Sequence, residues 1–326
     1  MPSSPVLKKI AVVTSGGDAP GMNAAVRAVV RATLGKGATV IGFNHGFRGM
    51  IANEVCELDS KGVGGIVSQG GTILHTARSP EFRSPEGRKQ AHDMLKENGA
   101  EGLVVIGGDG SLQGARRLNE EFDFPVVGIP GSIDNDISGT DYSIGFDTAV
   151  NTGVEAIDKI RDTAYSHERV FVIEVMGRHN GFIALDVALS SGAEACLIPE
   201  IPYRLEEVCE NLRNMRKRGK RSSIVVVAEG AARAADVQEF IAKHTGFEAR
   251  YTVLGHMQRG GRPTAFDRVL GLRLGTKASA ELLAGASGVM VGLDGGNLVS
   301  HSLGYVLSTE RTIDPDKLHL VDLMSQ

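Results

Sequence analysis

The stretch IAVVTSGGDAPGMNAAVRAVVRATL, residues 10–34, joins a short apolar run to a glycine-rich loop and then to a helical pattern. Residues 10–14 show no polar alternation, which is typical of a strand buried on both faces of a parallel sheet. The pattern of residues 23–34 predicts a helix. This order of strand, loop and helix predicts an α/β unit.

The same order recurs along the chain. Further strand-like apolar runs occur at residues 103–106, 126–129, 170–175, 224–228 and 289–293. Helical patterns occur at residues 85–97, 112–120, 148–162, 205–218 and 265–283. Because strands that alternate with helices form parallel sheets with right-handed crossovers, we predict an α/β fold with mainly parallel sheets.

Length and composition limit the class of protein. A chain of 326 residues is expected to form two domains. Its 42 glycines are nearly twice the usual ~7%, and many end apolar runs, where the backbone can approach a ligand closely. A net charge of −4 disfavours general nucleic-acid binding, since nucleic-acid phosphates require a basic surface.

Nothing in the sequence indicates secretion or a membrane. No apolar run approaches the roughly 18 residues that span a bilayer, and residues 1–10 lack the apolar core of a signal peptide. The three cysteines, Cys56, Cys196 and Cys209, have neither a disulfide framework nor metal-site spacing. We therefore expect a soluble protein of the reducing cytoplasm.

The loop TSGGDAPGMN, residues 14–23, follows the first strand. Ligands of open α/β sheets bind beyond the carboxyl ends of the strands, and backbone N–H groups before a helix can hold phosphate oxygens. A plain strand-to-helix turn is the alternative. Neither the dinucleotide-binding nor the P-loop glycine pattern occurs, so a Rossmann dehydrogenase or a P-loop enzyme loses its main support.

The loop GGDGS, residues 107–111, follows the strand at residues 103–106. Asp109 can hold Mg²⁺, which prefers a carboxylate together with phosphate oxygens and water. Gly108 and Gly110 would let a phosphate chain lie against the backbone. The alternative is that Asp109 caps the following helix.

The loop PGSIDND, residues 130–136, is acidic. In an extended backbone, Asp134 and Asp136 point to the same side. One carboxylate can then accept a proton from an attacking hydroxyl while the other organises a metal or its water. An Asx-rich turn is the alternative.

These three loops resemble the signature loops of the bacterial ATP-dependent 6-phosphofructokinase family. Four further segments match that family in the same order: Thr76-Ala77-Arg78, Met176-Gly177-Arg178, Ala228-Glu229-Gly230 and GHMQRGG at residues 255–261. The resemblance runs from about Lys8 to Tyr305, which is nearly the whole chain.

The resemblance implies two three-layer Rossmann-like α/β domains with the active site in the cleft between them. Residues 1–144 and about 257–305 would form the larger, ATP-binding domain. Residues 145–256 and about 306–326 would form the smaller, fructose-6-phosphate-binding domain. The implied reaction is transfer of a phosphoryl group from Mg²⁺-ATP to the 1-hydroxyl of fructose 6-phosphate, the committed step of glycolysis.

The resemblance also implies roles for individual residues. Asp134 would be the catalytic base, and Asp109 the Mg²⁺-linked carboxylate. The other catalytic residues would be Ser132, Asp136, Arg78 and Arg178. ATP would contact Gly17, Arg78, Ser79, Gly108, Asp109, Gly110 and Ser111. The sugar phosphate would contact Ser132, Ile133, Asp134, Met176, Gly177, Arg178, Glu229, His256, Met257, Gln258 and Arg259.

Two arginines that match the family pattern imply that the protein is an oligomer. In the family, a neighbouring subunit completes the sugar-phosphate site with two arginines, and Arg169 and Arg250 match them. A homotetramer is therefore expected. The chemistry agrees, because phosphoryl transfer needs positioning and charge neutralisation, and guanidinium groups grip phosphate with fork-like hydrogen bonds.

Small residues at two positions indicate the phosphoryl donor. Related pyrophosphate-dependent enzymes carry Asp and Lys where this chain has Gly110 and Gly131, so the donor is interpreted as ATP. Many relatives also have Thr at the position of Ser132. The hydroxyl is retained but its χ1 is less restricted, so we expect activity with looser positioning.

A separate effector site for ADP or phosphoenolpyruvate is also implied. Its matching residues are Arg27, Arg31, Arg161, Glu194, Arg218, Lys220 and Arg221. Glu54, however, stands where well-studied members carry an effector-binding Arg, so a weakened or altered response is expected. A solvated charge run at residues 213–221 is the alternative.

The sequence is also compatible with rival functions. A pyrophosphate-dependent kinase or a kinase for another sugar phosphate is the nearest. A lipid or NAD kinase shares the GGDG loop but does not require residues 256–261. A catalytically inactive nucleotide-sensing subunit is less consistent with the presence of Asp109, Asp134 and Asp136.

Overall fold

A computed structural model describes residues 7–325 of the chain, and these residues divide into two compact units. The first unit contains residues 7–132, Ile137–Asp147 and Arg259–Arg311. The second contains Ile133–Asp136, Thr148–Gln258 and residues 312–325.

The strands of both units are short. In chain order they are β1 Lys9–Ser15, β2 Thr39–Phe43, β3 Val55–Leu58, β4 Gly102–Gly107, β5 Val126–Pro130, β6 Val170–Val175, β7 Ala195–Leu197, β8 Ser223–Ala228, β9 Ala249–Val253, β10 Val289–Asp294 and β11 Asn297–Ser302.

Helices occupy most of the chain between the strands. They are α1 Met22–Leu34, α2 Gly46–Ile51, α3 Pro85–Glu97, α4 Asp109–Phe122, α5 Phe146–His167, α6 Phe182–Ser191, α7 Leu205–Lys217, α8 Ala234–Thr245, α9 Ala265–Leu283, α10 Leu303–Ser308 and α11 Pro315–Ser325. Single 3₁₀ turns lie at Ile66–Ser68, Glu81–Arg83 and Gly255–Gln258.

Each unit is built on one mainly parallel sheet. The first unit has seven strands in the order β11-β10-β5-β4-β1-β2-β3. Only its two edge pairs, β2 with β3 and β10 with β11, are antiparallel. The second unit has four parallel strands in the order β7-β8-β6-β9. The predicted α/β fold with mainly parallel sheets is confirmed.

The central strands form because they are apolar along their whole length. Every residue of β4 (GLVVIG) and β8 (SIVVVA) is buried, as expected for strands covered by helices on both faces. The predicted helix at residues 85–97 coincides with α3. It begins after Ser84, whose side chain accepts a hydrogen bond from the Gly87 amide at 3.0 Å, and Pro85 occupies the first helical position.

The sequence patterns did not predict two strands that lie at sheet edges. β9 (ARYTV) and β11 (NLVSHS) are edge strands with several exposed residues, so they lack a continuous apolar run. Among residues 7–325, none of the helices has the length and apolar character required to cross a lipid bilayer.

Candidate active site

The glycine loops of the first unit begin at one edge of its sheet. Parallel pairing places Ser15 opposite Gly107, and Gly107 opposite Pro130. The chain leaves the sheet at the same level after all three strands. β1 has β2 on one side and β4 on the other, so the strand order reverses here, which is where open α/β sheets bind ligands.

Two other predicted segments hold the first loop. The Thr76 hydroxyl donates to the Gly16 carbonyl at 2.7 Å, and the Arg259 guanidinium donates to the Asp18 carbonyl at 3.5 Å. A Cβ on Gly17 would lie 2.3 Å from Nη1 of Arg259. Arg259, predicted as a sugar-phosphate ligand, therefore lies directly on the loop predicted to bind ATP.

The second loop leads into a helix without an acidic cap. Gly108 occupies the N-cap position and Asp109 is the first helical residue, so the capping alternative is wrong. Asp109 is exposed in the first turn of α4, whose partial positive charge favours an anion there. Ser111, by contrast, is buried, and its amide donates to the Gly108 carbonyl at 2.9 Å.

Gly110 and Gly131 differ in what surrounds them. A Cβ on Gly110 would meet no protein atom within 4 Å, whereas a Cβ on Gly131 would lie 2.9 Å from Cε of Met22. Side-chain packing is therefore tight at position 131, although its one short contact is with the flexible end of Met22. Nothing in the protein requires a glycine at position 110, where the space is open.

The start of the acidic loop is fixed by neighbouring backbone. The Gly131 amide donates to the Gly107 carbonyl at 3.0 Å, and the Ser132 amide donates to the Ile144 carbonyl at 3.1 Å. The Ser143 hydroxyl donates to the Ser132 carbonyl at 2.6 Å. The backbone of Ser132 is thus held on both sides, and its side chain is half-buried.

The rest of the acidic loop is not extended. Asn135 has a φ of +53°, a left-handed conformation that Asn tolerates better than most residues. The extended arrangement that would place Asp134 and Asp136 on one side is therefore wrong. Asp134 is 3% exposed and Ile133 is 1% exposed, so both residues are buried in this loop.

The segment that carries Arg78 is tied to β1 and α1. The Thr14 hydroxyl donates to the His75 carbonyl at 2.8 Å, and Oδ1 of Asn23 accepts from the Ile73 amide at 2.8 Å. Arg78 itself is exposed. Ser79 accepts a hydrogen bond from the Phe82 amide at 3.4 Å.

The predicted sugar-phosphate residues of the second unit follow adjacent strand ends. Val175 at the end of β6 pairs with Ala228 at the end of β8, and Glu174 pairs with Val253 at the end of β9. The segments predicted to bind sugar phosphate follow these ends: Met176–Arg178, Glu229 and His256–Gln258. His256 and Met257 are exposed, whereas Met176 is buried.

Glu229 supports the turn that presents Arg178. Its Oε1 accepts from the Arg178 amide at 2.8 Å and from the Gly177 amide at 3.3 Å. Arg178 has a left-handed φ of +54°, uncommon for a residue with a side chain. A Cβ on Gly230 would lie 2.4 Å from the Arg178 carbonyl oxygen, so the turn also requires a glycine there.

Gln258 is fully buried, and both the oxygen and the nitrogen of its side-chain amide form hydrogen bonds within the protein. Its oxygen accepts from the Met176 amide at 2.8 Å, and its nitrogen donates to the Ala149 carbonyl at 3.1 Å. This arrangement favours a role in holding Met176 rather than the predicted direct contact with substrate.

Arg169 and Arg250 share one carboxylate. Oε1 of Glu248 lies 2.8 Å from Nη2 of Arg169 and 2.7 Å from Nη2 of Arg250. The pairing of β6 with β9 brings these residues together, because Val170 lies opposite Ala249. The hydrogen bond from Arg169 is the main cause that holds the pKa of Glu248 below its usual range. Glu248 therefore stays charged at neutral pH.

The predicted effector residues form separate groups. In the first unit, Arg27 donates to the Val63 carbonyl at 2.5 Å and Arg31 to the Ser60 carbonyl at 3.4 Å. In the second unit, the fully buried carboxylate of Glu194 has Oε1 2.6 Å from Lys220 Nζ and 3.7 Å from Arg161 Nη1.

Two further residues of the predicted effector set behave differently. Arg221 pairs with Glu168 at 2.7 Å, away from Glu194. Arg218 and Glu194 line a cavity of about 630 Å³ between β7 and α7. The structure thus brings Arg161, Glu194 and Lys220 together and leaves Arg221 in another ion pair.

Sequence reasoning missed two residues that support these sites. Glu248 lies two positions before Arg250, and this short spacing between opposite charges is the only local signal for Glu248. His45 contacts Glu54, with Nδ1 and Oε2 2.5 Å apart, and no local pattern indicates this pair.

Known proteins resemble this chain over most of its length. The phosphofructokinase family model matches residues 9–282. An ATP-dependent 6-phosphofructokinase of Bacillus thuringiensis (strain Al Hakam) is 54% identical over 314 residues, which are 96% of this chain and 98% of that protein.

Solved structures give the same result. The phosphofructokinase of Saccharomyces cerevisiae superposes with a TM-score of 0.89 at 38% identity over 92% of this chain, which spans only 45% of the yeast chain. A pyrophosphate-dependent phosphofructokinase from Marinobacter aquaeolei, 21% identical over 96% of this chain and 91% of that chain, shares the fold with a TM-score of 0.85. The chain therefore belongs to the phosphofructokinase family.

Proposed function

We propose that this protein is an ATP-dependent kinase that converts fructose 6-phosphate to fructose 1,6-bisphosphate in glycolysis. The observation that carries the proposal is 54% identity, over 96% of the chain, to a bacterial ATP-dependent 6-phosphofructokinase. The open space at Gly110, beside Asp109, supports a nucleotide as the donor.

The proposed reaction uses the acidic loop as its base. The carboxylate of Asp134 accepts the proton of the sugar 1-hydroxyl while the hydroxyl oxygen forms a bond to the γ-phosphorus of ATP. The bond to the bridging oxygen breaks, and ADP leaves with that electron pair. Arg78 and Arg178 stabilise negative charge on the moving phosphoryl group, while Ser132 and Asp136 organise the surrounding site.

Asp109 is the proposed protein ligand of Mg²⁺. No cluster of three or more acidic, histidine or cysteine side chains suited to a metal occurs in the described residues, 7–325. This fits Mg²⁺, which is usually held by one or two carboxylates, substrate phosphates and water. The metal would neutralise phosphate charge, while the exposed carboxylate of Asp109 positions it with the nucleotide.

The proposed ATP contacts are Gly17, Arg78, Ser79, Gly108, Gly110 and Ser111. The buried position of Ser111 and the packing of Arg259 on Gly17 favour backbone contacts with the phosphates here. The sugar phosphate is proposed to contact Arg178, Glu229, His256, Met257 and Arg259.

Arg169 and Arg250 are proposed to bind the 6-phosphate of a neighbouring subunit's substrate in a homotetramer. Their guanidinium groups already converge on one carboxylate oxygen, as they would on a phosphate oxygen. The regulatory proposal is a weak response to ADP or phosphoenolpyruvate, and the proposed compartment is the cytoplasm.

A donor comparison tests the function. ADP formation from ATP and fructose 6-phosphate is measured beside phosphate release from pyrophosphate and fructose 6-phosphate. We expect turnover with ATP and little with pyrophosphate. Comparable kcat/KM with pyrophosphate, or preference for another sugar phosphate, would overturn the proposal.

Ser132→Thr is expected to keep activity within about threefold of the wild type. The hydroxyl is retained, and the added methyl group restricts χ1 toward one orientation. The measurement is kcat and KM for fructose 6-phosphate. Loss of most kcat in Ser132→Thr would contradict this expectation, and Ser132→Ala, which lacks the hydroxyl, tests the role of that group.

Glu248→Gln is expected to lower KM for fructose 6-phosphate several-fold with kcat little changed. The carboxylate competes with phosphate for the same guanidinium donors, and its negative charge repels the phosphate. Glu210→Gln removes the same charge from an exposed site on α7. An unchanged or higher KM in Glu248→Gln alone would show that the carboxylate does not compete.

A further inference from the structure

Glu54 is engaged inside the first unit. Its carboxylate Oε2 lies 2.5 Å from Nδ1 of His45. Antiparallel pairing of β2 with β3 brings the two residues together, since the Asn44 amide donates to the Glu54 carbonyl at 2.9 Å. The Glu54 amide in turn donates to the Gly49 carbonyl at 2.8 Å. The backbone around the pair is therefore fixed on both sides.

His45 makes two contacts with the segment that carries Arg78. Its amide donates to the carbonyl of the buried Leu74 at 2.8 Å. Its ring stacks on the ring of His75, with centroids 5.2 Å apart and planes 16° from parallel. His45 also has a left-handed φ of +59°, which its surroundings must maintain.

The contacted residues lie just before Arg78. The His75 carbonyl accepts from Thr14 at 2.8 Å, and Thr76 donates to the Gly16 carbonyl at 2.7 Å. A shift at His75 would thus be transmitted to the exposed Arg78 within three residues and to the first glycine loop. Glu54, His45 and His75 form a chain of contacts that ends at the proposed phosphoryl site.

We propose that Glu54 and His45 are positioning residues for Arg78 and the ATP phosphates. Glu54 fixes the plane of the His45 ring, and His45 fixes residues 74–75 through its amide and its stack. This inference rests on the proposed function, in which Arg78 contacts ATP. The side chains of His45 and Glu54 are 35% and 39% exposed, so their contact adds little stability and acts through geometry.

Single variants test the chain of contacts. Glu54→Ala should lower kcat/KM for ATP on the order of tenfold, because small misplacements of positioning groups are costly to catalysis. KM for fructose 6-phosphate should change less than about twofold, since Arg259 is the one proposed sugar-phosphate residue that touches the first glycine loop, and the chain of contacts does not run through it. Glu54→Gln should retain most activity, because its amide oxygen still accepts a hydrogen bond from the imidazole.

A double variant tests whether the two residues act together. His45→Asn tolerates the left-handed backbone but cannot stack on His75, so it should resemble Glu54→Ala. The combined Glu54→Ala, His45→Asn variant should be no worse than His45→Asn alone. The matched control is Glu57→Ala, which removes the same charge from an exposed position on β3.

The measurements separate this inference from the proposed function. ATP binding with Mg²⁺ is measured by calorimetry without sugar, and turnover is measured separately, with folding of each variant checked by circular dichroism. Absence of wild-type turnover would refute the proposed function, while weaker ATP binding in Glu54→Ala would still support the positioning role. Equal ATP binding and kcat/KM in Glu54→Ala, Glu57→Ala and wild type would overturn the inference.

Discussion

Asp134→Asn is expected to lower kcat by about 10³-fold, within the range of about 10²–10⁴ that general base catalysis contributes. Asn has nearly the same shape and can still accept a hydrogen bond, but it cannot take the proton of the sugar 1-hydroxyl. KM for ATP and for fructose 6-phosphate should stay within a few-fold of the wild type. The measurement is steady-state ADP formation.

The matched control is Asp162→Asn. This residue is exposed on α5, so its variant should retain wild-type kcat. Undiminished kcat in Asp134→Asn would show that another group accepts the proton. A large rise in either KM with kcat unchanged would instead assign Asp134 to substrate binding.

Hydrophobic patterning was sufficient to predict the centre of each sheet. β4 and β8 are buried throughout and almost entirely apolar, and this leaves a continuous signal in the sequence. β9 and β11 carry no such run because one edge of each faces outward. The apolar runs therefore predict β4 and β8, where burial is complete, and miss the edge strands β9 and β11, where pairing partners decide. They also miss the inner strand β2, although four of its five residues are buried.

The gathering of the glycine loops was also predictable. Parallel strands end at the same edge, so loops after β1, β4 and β5 must lie together once these strands are neighbours. Sequence alone did not predict the left-handed backbone of Asn135, nor the use of Glu229 Oε1 for two backbone amides. The amides that Glu229 holds lie about 50 residues away in the chain, which no local pattern contains.

Gly110→Asp is expected to raise KM for ATP on the order of 10²-fold without loss of stability. A Cβ at this position meets no protein atom within 4 Å, so the fold accommodates the side chain. The new carboxylate would lie where the nucleotide phosphates are proposed to bind. Repulsion between unit charges 4 Å apart costs about 1 kcal/mol in water and about 4 kcal/mol near a protein surface.

Two companion variants separate charge from packing. Gly110→Ala adds volume without charge, so it should raise KM for ATP far less than Gly110→Asp. Gly131→Ala should lower Tm only slightly, because its Cβ would lie 2.9 Å from Cε of Met22, the end of a flexible side chain that can shift. If Gly110→Asp leaves KM for ATP unchanged at wild-type Tm, the space beside Asp109 does not hold the nucleotide phosphates. Efficient use of pyrophosphate is not expected from Gly110→Asp, because position 131 still lacks a lysine.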